Sequence, residues 1–246
     1  MKRGSVILLC LLSLVIAQGW AQEREVTNIQ SRILVDFDDP EAQRWIVRGS
    51  RFATEGFPRQ QHVNAWPEAL FREEPEDTTL RSLGINARFD RQGYNFIEVV
   101  PAEEGDDGQL VESSIPIPGR VQQIDMWVWG ANFDYYMDIH IRDYRGIVHV
   151  LTLGDLNFLG WRNLRVNVPT YIPQSVQYAP AFRGLEIVNI VIWTRPDERV
   201  NDYYAYVDQI KVTTDLYEDP FDGERLADPD YVDELWSNAD QNDTEQ

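Results

Sequence analysis

Residues 121–168 read VQQIDMWVWGANFDYYMDIHIRDYRGIVHVLTLGDLNFLGWRNLRVNV, four apolar runs parted by turn-like breaks at 130–132, 144–146 and 153–155. In the second run Met137, Ile139 and Ile141 alternate with Tyr136, Asp138, His140 and Arg142. In the fourth, Leu164, Val166 and Val168 alternate with Asn163, Arg165 and Asn167. Period two marks half-buried antiparallel strands. Their apolar face has to be covered, so a second sheet is expected from elsewhere in the chain.

Outward from this block, 33–38 (ILVDFD), 45–48 and 50–54 read as short strands, the first stopped by Asp39-Pro40. Prolines at 58, 67 and 75 make 57–79 a long surface loop with at most one helical turn near 68–71. Residues 80–89 and 94–100 suit a hairpin closed by Asp90-Arg-Gln-Gly93. The prolines of 115–119 (IPIPG) place that segment at an edge or in a crossover. Residues 185–193 are nearly continuous apolar, as in a strand covered on both faces. In 203–212, Tyr204, Tyr206, Ile210 and Val212 are set against Tyr203, Val207 and Lys211. About ten strands with little helix predict an all-β fold. Its expected form is an antiparallel sandwich of jelly-roll type resembling carbohydrate-binding modules.

Lys2 and Arg3 precede an apolar run, 6–17, that is too short for a membrane helix and ends near the small residues Gly19 and Ala21. This reads as a secretory signal over 1–21, cut between Ala21 and Gln22. The expected organisation is then an arm over 22–31, one domain over 32–214 and an acidic tail over 215–246. Cys10, the one cysteine, leaves with the signal, and removing Lys2 and Arg3 takes the formal charge from −19 to −21. A domain of this size stands without disulfides. Its acidity argues against nucleic acid and anionic membrane as partners, and no later segment is apolar enough to insert. The tail sets 12 acidic residues against Arg225. Within it Val232, Leu235 and Trp236 fall at i, i+3, i+4, one face of a short helix that suits docking.

No enzymatic pattern emerges, and no cofactor is expected. There is no Gly-x-Ser-x-Gly, no phosphate loop and no histidine pair at metal spacing, His62, His140 and His149 being far apart in sequence. His140 and His149 are expected on opposite faces of their strands. Asp36 and Asp38 early and Asp208 late loosely match carboxylates that hold a structural calcium in some jelly rolls, although solvated or hydrogen-bonded aspartates are the simpler reading. With Ile124, Met126 and Val128 inward, Trp127 and Trp129 point outward, as do Tyr136, His140, Arg142 and Tyr144 on the following strand. Aromatic rings among polar groups suit a protein interface or sugar stacking, unless the 57–79 loop covers them.

At these residues a family likeness appears. The segments QQHVNAWPEA (60–69), YMDIHIRDYRG (136–146), LGWRNL (159–164), VIWTRP (191–196) and YVDQIKV (206–212) resemble the outer-layer (sheath) proteins of spirochaete periplasmic flagellar filaments. The resemblance runs from about 33 to 216. It implies an exported, non-enzymatic structural subunit in the periplasm, coating a flagellin core and contributing to filament stiffness and motility. Its implied partners are flagellin subunits and other sheath subunits, itself included. A secreted carbohydrate-binding module is the alternative that the aromatic residues leave open.

Overall fold

The structure, a computed structural model, describes residues 29–73, 79–174, 176–178, 181–215, 226 and 231–237. The expected signal, its cleavage point and most of the acidic tail lie outside these residues. One sheet contains β1 (Ile29–Val35), β3 (Arg59–Val63), β4 (Ser82–Ala87), β8 (Arg120–Ala131), β11 (Leu159–Asn167) and β15 (Tyr203–Asp215). Its order is β11-β8-β15-β4-β3, with β1 continuing along β15. The other contains β2 (Arg44–Gly49), β5 (Phe96–Glu104), β6 (Leu110–Glu112), β7 (Ile115–Ile117), β9 (Tyr136–Arg142), β10 (Val148–Asp155) and β14 (Leu185–Trp193). Here the order is β10-β9-β14-β5-β2, with β6 on β5 and β7 on β14. A small pair, β12 (Val176–Tyr178) and β13 (Ala181–Arg183), and one helical turn, α1 (Glu68–Phe71), complete the named elements.

All pairings between these strands are antiparallel, and the inner faces of the two large sheets share one apolar core. Ile124, Met126 and Val128 of β8 meet Met137, Ile139 and Ile141 of β9 there, all at or near zero exposure. The 121–168 block therefore supplies both layers itself. β8 and β11 pair with each other in the first sheet, whereas β9 and β10 form a hairpin in the second. The expectation that the covering sheet comes from elsewhere is corrected: alternation fixes which side of a strand is apolar, not which layer the strand joins.

Three local expectations also change. Residues 80–89 and 94–100 do not pair, because β4 and β5 belong to different sheets. The link between them is tied to the end of β14: the backbone N–H of Asn95 donates to Thr194 Oγ1 (2.8 Å), and the N–H of Thr194 donates back to the Asn95 carbonyl (2.9 Å). Of 50–54 only Ala53 bridges, to Phe89. The 57–79 loop contains an edge strand, β3, which extends the first sheet in its plane, and α1 stands where one turn was expected.

β1 begins at Ile29, inside the segment expected to be an arm, and Ile29 pairs in register with Asp215. In β15 a bulge at 208–210, with Gln209 at φ 50°, breaks the single alternation read from sequence. Tyr203, Ala205 and Val207 point inward before it, and Ile210, Val212 and Thr214 after it. At the Tyr203 end, loops around 50–58, 88–95, 132–135 and 194–202 close the sandwich. Both the entry of the chain at Ile29 and its exit at Asp215 lie at the other end.

Candidate interaction faces

The outer face of the first sheet is built by register. Trp161 of β11 pairs with Trp129 of β8, which pairs with Tyr206 of β15; Tyr206 pairs with Gly84 of β4, and Gly84 with Gln61 of β3. A single row of outward residues thus crosses five strands. Trp129 and Tyr206 meet edge-on, 5.4 Å between centroids at 76°, and Trp161 lies 6.5 Å from Tyr206 at 46°. Gly84 makes room for this, since a Cβ there would stand 3.1 Å from Tyr206 Cε1 and 3.1 Å from the Gln61 carbonyl. Trp127, in the next outward row, is half-buried like Trp129. Sequence reasoning had selected Trp127 and Trp129 but not Trp161 or Tyr206. The alternation of β11 marks Trp161 as outward, whereas Tyr206 needed the bulge to be placed.

Polar groups flank these rings. Asp125 is only 3% exposed; its carboxylate accepts from Asn163 Nδ2 (2.8 Å) and pairs with Lys211 Nζ (3.3 Å). Asp208, 1% exposed, has Oδ1 without a hydrogen-bond partner. Burial first, and then the nearby charges of Asp38 and Asp36, push its carboxyl up to about 8, against the pull of the Gln209 backbone bond. Asp36, Asp38 and Asp208 are therefore neighbours, as the calcium reading required. Asp38 instead accepts the Arg81 N–H (2.8 Å) and Asp36 the Asp38 N–H (3.2 Å). Among the described residues no group of three or more His, Cys, Asp or Glu is arranged to hold a metal ion.

Tyr136, His140, Arg142 and Tyr144 do not share a face with the tryptophans. Tyr136, His140 and Arg142 lie on β9, in the second sheet, and Tyr144 lies in the turn after it. The two groups expected to form one surface therefore occupy opposite sides of the sandwich, because the 130–136 segment crosses between layers. Tyr136 stacks on Trp193 of β14 (6.4 Å), which leans on Phe96 of β5 (5.4 Å), and Arg195 lies over Tyr136 (5.3 Å). Arg142 pairs with Glu186 of β14 and donates to Ser114 Oγ (3.0 Å). His140 is half-buried, and desolvation holds its pKa below the usual histidine value against the pull of Asp138 and Glu98. His149 turns the other way and bonds Asp143 (2.9 Å). The two histidines thus lie on opposite faces, as the alternation predicts.

The two sheets differ sharply in charge. Strands of the first carry Arg32, Arg59, Arg120, Arg162, Arg165 and Lys211, against Asp125 and Asp208, both buried, and the terminal Asp215. Strands of the second carry three arginines against seven carboxylates, among them Glu98, Asp138 and Glu186. In a chain of charge −19 the outer side of the first sheet carries Arg59, Arg120, Arg165 and Lys211 by register, Arg32 and Arg162 standing at inward positions, and the exposed Asp36 borders it beside Asp208. Such a face suits a macromolecular contact better than small-molecule chemistry.

The profile of the flagellar filament outer layer protein family, FlaA, matches residues 26–221. The chain belongs to this family. A flagellar filament outer layer-like protein of Brachyspira hyodysenteriae is 28% identical over 135 residues, covering 55% of this chain and 58% of that one. The match thus spans little more than half of the relative's length. Among solved structures, a family 61 carbohydrate-binding module in complex with β-1,4-galactotriose aligns at 13% identity with a TM-score of 0.40, covering 75% of this chain and 99% of the module. The family 11 module of the cellulosomal cellulase Lic26A-Cel5E of Clostridium thermocellum aligns at 13% with a TM-score of 0.41, covering 78% and 99%. At this identity the likeness concerns the β-sandwich alone. The FlaA profile takes in both outer faces and all strands from β1 to β15.

Proposed function

We propose that this FlaA-family protein is a subunit of the outer layer of the periplasmic flagellar filament. It coats the flagellin core, contributes to filament stiffness and motility, and acts as a binding and structural protein rather than an enzyme. Its contact face is the outer side of the first sheet. The observation that carries this reading is the Trp161–Trp129–Tyr206 row on a face where Arg59, Arg165 and Lys211 project beside it. Rings flanked by cations and amides are the composition of protein-contact hot spots.

Sugar stacking on the same rings is the second reading, because the T-shaped packing of Trp129 and Tyr206 covers one face of one ring at most. Co-sedimentation of residues 22–246 with bare flagellin-core filaments, and separately with polysaccharide, tests both readings. Saturable pelleting with filaments alone is the expected result, weakened in a folded Trp127→Ala, Trp129→Ala double variant. Full coating by that variant would refute the contact face. Pelleting with polysaccharide alone would replace the coat reading by sugar binding.

A further inference from the structure

We infer that the contact face of the first sheet receives the acidic tail, residues 216–246, of a second copy of this chain. The inference rests on the proposed contact face and assigns it to the contact between neighbouring subunits of the coat, so that the aromatic row strengthens coating of the filament through copy-to-copy links. Charge is the first argument. By register Arg59, Arg165 and Lys211 project on the same side as the aromatic row, while Asp125 and Asp208 on that side are buried. Residues 216–246 hold eleven acidic residues against Arg225, together with Tyr217, Phe221, Leu235 and Trp236. Acidic side chains interleaved with aromatic ones complement a face of rings bordered by arginine and lysine.

Geometry is the second argument. The tail leaves from β15, the middle strand of this sheet, at Asp215, nine residues beyond Tyr206, or about 30 Å along the strand. Thirty-one residues can reach roughly 100 Å when extended, which spans a neighbouring domain. Residues 231–237 form a short helix in which Leu235 and Trp236 are 43% and 68% exposed, so these two side chains are open in the single chain while Tyr231 and Val232 are partly buried. A ring exposed on its own subunit and a half-buried aromatic row with a cationic border are the two halves of one contact. Linking copies in this way makes a directional chain of subunits, since the donor and acceptor surfaces differ.

The test compares the exported chain with a version ending at Asp215, and uses a labelled peptide of residues 216–246 as the probe. The full chain is expected to self-associate at low salt in sedimentation equilibrium and to dissociate at about 0.5 M salt. The shortened chain should stay monomeric and bind the peptide. Affinity should fall about tenfold for Arg165→Glu in the shortened chain and for Trp236→Ala in the peptide, the second leaving the folded domain untouched. Absence of peptide binding, or binding indifferent to both changes, would overturn the inference. A monomeric full chain that excludes the peptide would make its own tail the occupant and overturn the assignment to a second copy. Core-filament pelleting reports separately on the coat reading: if the full chain fails to pellet, that reading falls, whatever the peptide does.

Discussion

Tyr206 packs edge-on against Trp129, 5.4 Å between ring centroids, and the space for its ring is left by the missing side chain of Gly84. Removing that ring should open the row without touching the inner core, because Tyr206 points outward between the inward-facing Ala205 and Val207. Tyr206→Ala is expected to weaken filament binding by roughly tenfold, and Tyr206→Phe to bind like the parent. Quantitative pelleting against filament concentration checks this, with circular dichroism confirming the fold. Equal loss in both variants would place the contribution in the hydroxyl.

Gly130 sets a packing limit at the Tyr203 end. A Cβ at this position would stand 2.6 Å from the Phe158 carbonyl oxygen and 2.8 Å from its ring. Backbone cannot give way as a long side chain can. Gly130→Ala should therefore cost about 1–3 kcal/mol in chemical denaturation, whereas alanine at Gly105, where the closest approach is 3.3 Å, should cost less.

Asp208 predicts an unusual pH response. An acid whose folded pKa lies near 8, above its unfolded value near 4, holds a proton in the native state that the unfolded chain releases. Its contribution to stability is complete below about pH 4 and is lost as pH rises towards 8. Asp208→Asn, which cannot ionise, should flatten that decline. The expected result is a melting temperature close to the parent's at pH 5 and higher by several degrees, on the order of 5–10 °C, at pH 9. Parallel curves for the two proteins would show that Asp208 is ionised throughout.

The β9–β10 turn responds in the opposite sense. Asp143 accepts the N–H groups of Arg145 (2.9 Å) and Ile147 (3.0 Å) and bonds His149 (2.9 Å). Burial alone would push its carboxyl up, but the His149 bond and the two backbone bonds together hold it below the usual aspartate value. A depressed carboxylate stabilises above its unfolded pKa, and the gain fades as pH falls through the folded one. Asp143→Ala should cost about 1–3 kcal/mol at pH 7, with a smaller difference from the parent at pH 3. Paired urea titrations at the two pH values measure it.

The sandwich was legible because period two is imposed locally: each of β9 and β11 has to show one apolar side whatever lies beyond it. Trp127 and Trp129 could be placed outward for the same reason. Layer membership was not legible, since the segment that carries Ala131 across to Tyr136 has the same turn composition as a hairpin loop. That is why Tyr136, His140 and Arg142 were joined to the wrong face. Tyr206 was obscured differently, by one bulge that reverses the sense of the alternation in β15. The charge difference between sheets is present in the sequence, but it becomes a pattern only once the strands are sorted into layers.

The pairing of Ile29 with Asp215 has a practical side. A purification handle or fluorescent protein joined directly before Ile29 or directly after Asp215 would crowd the same end of the domain. The opposite end is better suited to a reporter. Tyr94 is 73% exposed there, and Cys10 is the chain's only cysteine. In the chain from Gln22 onward, Tyr94→Cys would thus offer a single thiol for a dye, at the end of the sandwich opposite Ile29 and Asp215, through which the proposed assembly could be followed by fluorescence.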